Sequence, residues 1–324
     1  MNILVTGSAG FIGFHMSLLL LKKGHKVIGL DNLNDYYDVN LKKNRLKILK
    51  RYKNFTFYKK NISNKKEFFK VFKNIKISII IHLSAQPGIR YSITNPDAYF
   101  ESNILGFYNI LELCRQKQIS SLYFASTSSV YGDHNSLPFN ENQNITRPLQ
   151  FYSASKIANE VMAYSYSSLY SIKCIGLRFF TVYGPFGRPD MAIYSFVKDI
   201  FQGNKIQVYN KGNHTRDFTY IDDIVISIHK LIIKNKKLKN NNYFEVFNIG
   251  NQENINILKM IKIIENIAKK KANIQLVKKA VGDMNDTYSN SNKLHKYINF
   301  KPSVSLDVGL KKFIDWYKTY YNIL

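Results

Sequence analysis

The chain has 324 residues, with 47 lysines and arginines against 22 aspartates and glutamates, a formal net charge of +25, and two cysteines. That length makes one large or two ordinary domains with a proper core. No apolar run approaches the roughly 18 residues of a membrane span, and neither CxxC nor HExxH occurs, so membrane-spanning and zinc chemistry are set aside.

The positive charge does not point to nucleic acid. Lysine outnumbers arginine several-fold, and the excess sits among Asn, Ile, Tyr and Phe, as in Lys234 to Asn242 and Lys269 to Lys271, whereas phosphate recognition usually draws on arginine as well. Such a mixture fits drift toward AT-rich codons, and no RRM, zinc-knuckle or helix-turn-helix pattern accompanies it. Cys114 and Cys174 lie far apart in apolar surroundings and read as buried thiols of a reduced compartment. The chain opens directly on a strand, without a charged and then apolar leader, so a soluble cytoplasmic protein with no membrane partner is expected.

The first element is the apolar run Asn2-Ile3-Leu4-Val5. Gly7, Gly10 and Gly13 follow, and a helical pattern (Phe11, Met16, Leu19, Leu20) begins at once. Glycines at this spacing permit a tight turn and let the backbone approach a pyrophosphate at the positive end of the helix. A second strand, Lys26 to Leu30, ends in Asp31, whose carboxylate can accept hydrogen bonds from the adenine ribose hydroxyls about 20 residues past the turn; this favours NAD over NADP.

Strand-like runs at 55–58, 77–83, 121–126 and 172–177 alternate with helix-length segments near 64–74, 95–118 and 151–170, the βαβ rhythm of a doubly wound parallel (Rossmann) sheet. After Arg178 the rhythm becomes irregular, with a Gly/Pro-rich loop at 183–189, a polar stretch at 211–217, helices near 220–237, 256–269 and 306–322, and a Lys/Asn-rich loop at 234–242. The expected division is a dinucleotide-binding domain over 1–177 and a smaller α/β substrate domain mainly over 178–324, some segments of which return to the first. Ligands of such folds lie beyond the carboxyl ends of the strands, so the active site is expected in the cleft between the halves.

Two hydroxyl-bearing segments complete the pattern: ASTSSVYG from Ala125 to Gly132 and QFYSASK from Gln150 to Lys156. A tyrosine with an ordinary pKa of about 10 is a poor base at neutral pH, but Lys156, one helical turn along, and a positive nicotinamide would both favour the Tyr152 phenolate. Lys156 can also hold the nicotinamide ribose. Thr127, 25 positions before Tyr152 at the end of a strand, can hold the oxygen undergoing oxidation.

These residues resemble the extended short-chain dehydrogenase/reductase proteins of the NAD-dependent epimerase/dehydratase family that act on nucleotide sugars. Within it the chain is most similar to UDP-glucuronate 4-epimerases, through LDNLNDYYDVNLKKNRL (30–46), HLSAQPGIRYSITNP (82–96), RFFTVYGPFGRPDMA (178–192), RDFTYIDDIV (216–225) and FKPSVSLDVGLKKFIDWYKTYY (300–321). The resemblance implies tightly held NAD against Gly7, Gly10, Phe11, Ile12, Gly13, Asp31, Asn32, Asn61, Ile62, Leu83, Ala85, Gln86, Asn103, Tyr152 and Lys156. It also implies a homodimer built on the helices near 95–118 and 151–170. Asn103 would brace the strand that carries the active-site hydroxyls, and Arg216 would face the UDP phosphates.

The reaction implied is inversion at C4 of a UDP-sugar, with Tyr152 taking the 4-hydroxyl proton and a transient 4-ketose turning over in the cleft. A 4-keto uronate is a β-keto acid that readily loses carbon dioxide, so the site must hold its carboxylate out of line. Thr127, Ser128, Ser129, Thr181 and Arg188 are the candidates, with Arg90 behind them; Ser128 and Ser129 could instead satisfy backbone groups, and Arg188 could pair with Asp190. Related dehydratases carry Asp-Glu after the active-site threonine and related decarboxylases a glutamate. Here Ser128-Ser129 follows Thr127, and elimination lacks its acid and base. Two departures stand out: Asn61 where an aspartate is usual near the adenine, and Ser289-Asn290 in place of Ala-Asp after Thr287. A 4-epimerase of a neutral or N-acetylated UDP-hexose would keep the same fold and base. A non-catalytic nucleotide-sugar or NADH sensor would not need Thr127, Tyr152 and Lys156 at reactive spacing.

Overall fold

The alternation read from the sequence becomes β1 (Asn2–Thr6), α1 (Phe11–Lys22), β2 (Lys26–Asp31), α2 (Val39–Leu49), β3 (Phe55–Lys59), α3 (Lys65–Phe72) and β4 (Ile79–His82). Residues 1–132, 136–234, 243–279, 282, 284 and 286–323 are described by the computed structural model. Side-chain caps start two of these helices: Asp38 accepts from the Asn40 N–H ahead of α2, and Asn64 from the Glu67 N–H ahead of α3.

Next come α4 (Tyr91–Thr94) and, after Asn95, one continuous helical run of α5 (Pro96–Tyr99), a π-helical turn at Phe100–Leu105 and α6 (Gly106–Gln116), which occupies the place of the helix expected near 95–118. Pro96 explains the break at Asn95. It stands at the first position of α5, where its missing N–H costs nothing, and Asn95 before it leaves the helical region at φ −135°, ψ 62°. The π turn aims Asn103 into the core.

The remaining elements are β5 (Ser121–Thr127), α7 (Phe151–Tyr170), β6 (Lys173–Phe179), β7 (Thr181–Tyr183), α8 (Ala192–Gln202), β8 (Lys205–Val208), β9 (Thr215–Arg216), β10 (Phe218–Tyr220), α9 (Ile221–Lys234), β11 (Phe244–Ile249), β12 (Ile255–Asn256), α10 (Ile257–Ala268), β13 (Asn273–Leu276), β14 (Asp286–Thr287), α11 (Asn292–Ile298) and α12 (Leu306–Tyr320). Residues 235–242, which hold the expected end of α9 and most of the Lys/Asn-rich loop, lie outside the described residues.

Seven strands form one parallel sheet in the order β11-β6-β5-β4-β1-β2-β3. The order reverses between β1 and β4, and a crevice opens there beyond the strands' carboxyl ends. β1 and β4 are apolar and buried because helices cover both faces. One core cluster, around Leu4, Ile80, Phe107 and Cys174, fills one face; a larger one runs from Ile3 and Phe14 through Ile221 and Met260 to Phe313. Both cysteines are buried free thiols.

β6 runs through the expected boundary at 177/178, and β11 returns to pair with it in register from Phe244↔Cys174 to Ile249↔Phe179. The second half adds three small sheets, β10-β7, β12-β9-β14 and β13-β8, and β7, β9 and β14 bring Thr181, Arg216 and Thr287 to the cleft. Among the described residues no helix is long and apolar enough to cross a membrane.

Candidate active site

A cleft of about 620 Å³ lies where the strand order reverses, lined by both halves of the chain. Its floor is the turn from β1 to α1. Gly7 adopts φ +71°, and a Cβ on Gly13 would stand 1.9 Å from the Gly7 carbonyl oxygen, so only glycine lets α1 start this close to the turn. The Gly7 N–H donates to Leu30 O (2.7 Å) and the Gly10 N–H to Gly7 O (2.9 Å). The first N–H groups of α1, which have no partner inside a helix, belong to Phe11, Ile12 and Gly13 at the cleft wall.

Asp31, at the end of β2, is buried. Its carboxylate accepts from the Ala9 N–H (3.1 Å) and the Leu33 N–H (2.8 Å) and lines the cleft beside Asn32. Burial pushes its pKa up, while the two backbone donors and the cations Lys42 and Arg45 pull it back. Asn61, Ile62, Leu83 and Ala85 line the same end. The Oδ1 of Asn61 is taken by the Ser63 N–H (3.1 Å), which leaves its NH₂ donors. These groups suit a dinucleotide: a helix terminus for the pyrophosphate and a carboxylate for a ribose diol.

Gln86 and Asn103 stand behind this wall instead of lining it. The Asn103 amide is consumed by the Gln86 backbone, accepting its N–H (2.7 Å) and donating to its carbonyl (3.1 Å), and it also donates to the Ser155 hydroxyl (3.0 Å). It therefore braces the exit of β4 and α7, whereas the sequence pointed to the strand of the active-site hydroxyls; that strand, β5, is held by Ser126 through Glu160.

At the centre of the cleft β5 delivers Thr127 and α7 delivers Tyr152 and Lys156. Thr127 caps a short 3₁₀ turn: its hydroxyl accepts from the Ser129 N–H (3.1 Å) and donates to the Ser129 hydroxyl (3.2 Å). Burial pushes the Tyr152 phenol above its usual range; the Thr127 hydroxyl and the Arg188 guanidinium act in the opposite sense. Lys156, expected to favour the phenolate and one turn along α7 from Tyr152, donates through its ammonium to the Ala125 carbonyl (3.0 Å), and the Arg188 guanidinium also acts on the phenol. Burial pulls Lys156 itself down to about 8, with the Glu160 carboxylate acting upward.

The second half supplies the far wall. Thr181, Arg188 and Arg216 line it, with Ser128, Ser129 and Arg90 from the first half. Arg188 pairs side-on with Asp190, Nε to Oδ1 at 3.0 Å and Nη2 to Oδ2, and the Tyr36 hydroxyl donates to the same Oδ2 (3.3 Å). This is the alternative pairing the sequence allowed, formed at the cleft edge with Arg188 still in the lining. Arg90 stacks on the Tyr209 ring, 3.9 Å from its centroid. Arg216 donates to the carbonyls of Thr215 (2.8 Å) and Met284 (3.0 Å), placed by the pairing of β9 with β12 and β14.

Arg45 was not singled out by the sequence. Its buried guanidinium donates to the carbonyls of Ala9 (2.8 Å), Phe186 (2.7 Å) and Gly187 (3.1 Å) and to the Tyr37 hydroxyl (2.7 Å), so it ties the nucleotide turn to the loop that carries Arg188. Tyr36 was missed as well; both lie inside the strings that carry the resemblance, but nothing in their spacing assigns them a partner. Ser289, a departure from the family pattern, donates through its hydroxyl and its N–H to buried Asp217, which burial pushes up to about 6 against these bonds and those from Asn251 and Gln252. The serine thus supplies a donor to a carboxylate that an alanine side chain would leave short.

Residues 3–250 match the model of the NAD dependent epimerase/dehydratase family. The chain is 46% identical to Protein CapI of Staphylococcus aureus, over 99% of this chain and 100% of that one. It is 40% identical to UDP-glucuronate 4-epimerase 4 of Arabidopsis thaliana, over 99% of this chain and 76% of that one. The structure superposes on that of UDP-glucuronic acid 4-epimerase from Bacillus cereus in complex with UDP-glucuronic acid and NAD with a TM-score of 0.91, at 33% identity, covering 99% of this chain and 100% of that one. By its whole-length match and by a cleft built at the reversal of strand order, the chain belongs to the NAD dependent epimerase/dehydratase family.

Proposed function

We propose that the protein is an NAD-dependent UDP-sugar 4-epimerase that converts UDP-glucuronate to UDP-galacturonate through a transient 4-keto sugar. The observation that carries this reading is the convergence of Thr127, Tyr152, Lys156 and Arg188 on one cleft with the glycine turn. NAD, held by the α1 terminus, Asp31, Asn32, Asn61, Ile62, Leu83, Ala85 and Lys156, supplies the hydride acceptor and donor. Tyr152 takes the proton of the sugar 4-hydroxyl and returns it after the ketose has presented its other face. Thr127 holds that oxygen. Ser128, Ser129, Thr181 and Arg188 hold the C6 carboxylate away from the alignment that decarboxylation needs, Arg216 meets the diphosphate, and Arg90 is a further contact at the cleft edge.

The reading extends to the whole molecule. Residues 1–177 would form the cofactor half and 178–324, less β11, most of the sugar-nucleotide half. A homodimer is supported by exposed apolar side chains on α7 and the π turn, among them Val161, Tyr164, Leu169 and Phe100, each more than half exposed but for their neighbours Phe151 and Leu105. A cytoplasmic place in polysaccharide precursor synthesis, with no nucleic-acid or membrane partner, fits that chemistry.

One observation favours a second reading. The Arg188 charge is already countered by Asp190, which suits a neutral UDP-hexose as well as a uronate. The test is incubation of the purified protein with UDP-glucuronate, without added NAD. Formation of UDP-galacturonate is expected; turnover of UDP-glucose or its N-acetyl analogue in preference to the uronate overturns the substrate assignment.

A further inference from the structure

Three neighbouring strands of the central sheet carry polar side chains at one level. Ser126 of β5, Arg178 of β6 and Asn248 of β11 are register partners, and all three are buried. Glu160 of α7 lies over this row. Its Oε1 accepts from the Ser126 hydroxyl (2.5 Å) and from Arg178 Nε (2.9 Å), and its Oε2 from Arg178 Nη2 (2.7 Å). Arg178 also donates through Nη1 to the Tyr131 hydroxyl (3.1 Å), which donates in turn to Asn248 Oδ1 (2.6 Å). The pair is almost fully enclosed, with side-chain exposures of 4% and 5%.

An enclosed ion pair is a poor device for stability alone, because desolvation offsets its attraction and an apolar pair of similar volume is often as stable. Its location gives it another use. Ser126 lies between Ala125, whose carbonyl receives Lys156, and Thr127. Glu160 follows Tyr152 and Lys156 at four-residue intervals, so all three share one face of α7. The bond from Ser126 to Glu160 therefore joins the two elements whose side chains must meet in the reaction.

We propose that Glu160 and Arg178 are positioning residues for the 4-epimerisation, clamping α7 onto β5 and β6 so that Tyr152 and Lys156 stand in register with Thr127. The proposal rests on the roles given above to Tyr152 and Lys156 but not on the identity of the sugar. The Glu160 charge also supports the ammonium form of Lys156 against burial. Of the other groups around that ammonium, His82 on β4 is held neutral by burial, its pKa pulled down to about 3, burial also pushes the Tyr152 phenol on α7 up, and the Arg178 charge on β6 is matched by Glu160 itself.

Two variants and a double variant test it, each assayed on whichever UDP-sugar the wild type turns over and each checked for melting temperature and for dinucleotide released on denaturation. Ser126→Ala keeps the ion pair and removes only the link to β5; kcat is expected to fall about tenfold with KM unchanged, and the melting temperature to fall modestly for the lost buried bond. Glu160→Gln is expected to move the alkaline limb of the kcat profile downward by about one pH unit and to release less bound dinucleotide, while Ser126→Ala leaves that limb in place. If Glu160→Gln does not fold, Glu160→Leu with Arg178→Met replaces the pair by apolar volume and is expected to melt near the wild type while losing turnover and dinucleotide. Wild-type kcat in Ser126→Ala, an unmoved limb in Glu160→Gln, or a stable and fully active double variant overturns the proposal. A wild type that prefers UDP-glucose over UDP-glucuronate sinks the substrate assignment and leaves this result standing; a wild type inactive on every UDP-sugar with its dinucleotide bound sinks both.

Discussion

Replacing Arg188 by alanine separates the uronate reading from its alternative, and the structure sets the size of the effect. A charged hydrogen-bond pair to a substrate carboxylate contributes about 1.5–3 kcal/mol. Arg188 cannot reach the upper end, since Nε and one face of Nη2 are spent on Asp190 and the nearby negative charge weakens the pull on a second carboxylate. A loss of about 1.5–2 kcal/mol is expected, which is about 10–30-fold in kcat/KM for UDP-glucuronate. UDP-glucose carries a neutral hydroxymethyl group at that position and should lose far less, and a uronate freed of its partner should leak UDP-pentose by decarboxylation. The assay is kcat/KM for wild type and Arg188→Ala on both UDP-sugars, with products resolved by anion exchange. Equal losses on the two substrates would refute the reasoning and return Arg188 to a structural role in the 183–189 loop.

Further outcomes are expected elsewhere in the site. Tyr152→Phe removes the group assigned to proton transfer and should lower turnover about 10²–10⁴-fold with dinucleotide still bound; near-normal turnover would remove Tyr152 from the mechanism. The dinucleotide released from the denatured wild type should be NAD(H), and Asp31→Ala should weaken its retention both by losing the ribose contact and by freeing the Ala9 and Leu33 N–H groups; recovery of NADP would contradict the role of Asp31. His82 bears on stability. Burial pulls its pKa from 6.5 to about 3, so below pH 6.5 the unfolded chain takes a proton that the folded one refuses, and stability is lost as pH falls until about 3. Between pH 7 and 5 this amounts to about 2 kcal/mol, so His82→Asn should lose that much less stability over the interval in chemical denaturation. Equal losses would show that His82 titrates normally.

How far the sequence carries can be judged from particular residues. The glycines at 7, 10 and 13, the apolar runs of β1, β4 and β5, and the position of Asp31 are local signals with one physical solution, and the sheet and the crevice follow from them. Pro96 was equally visible and stands at the start of the expected helix, but nothing local announces the π-helical turn at 100–105 inside it. The short strands β7 to β10 and β12 to β14 have two to four residues each, too few for a period to register, and each pairs only with another strand of the second half. The partners of the charged groups were the least legible. Nothing local says that Lys156 turns to the Ala125 carbonyl, that Tyr36 reaches Asp190, or that Arg45 bridges residues more than a hundred positions apart. Each of these depends on which backbone groups the tertiary fold leaves in need of a donor.

The carboxylates around the cleft bear on which member of a versatile family this chain is. Among the described residues that line it, the acidic ones are Asp31 and Asp190. Asp31 is at the nucleotide end and already accepts two backbone N–H groups; Asp190 is locked to Arg188 and Tyr36. Beside Thr127, where elimination or decarboxylation would need an acid or a base, stand the hydroxyls of Ser128 and Ser129, and Ser129 is engaged with Thr127. A serine hydroxyl is far less acidic than a phenol, so it can orient an oxygen but cannot carry a proton to a leaving group at useful rates, whereas a phenolate can be favoured by nearby positive charge. That leaves Tyr152, flanked by the Arg188 charge and anchored through α7, as the group in this cleft suited to proton traffic. A single base that both takes and returns one proton serves a reaction whose substrate and product differ only in the face of one carbon, and this is inversion at C4.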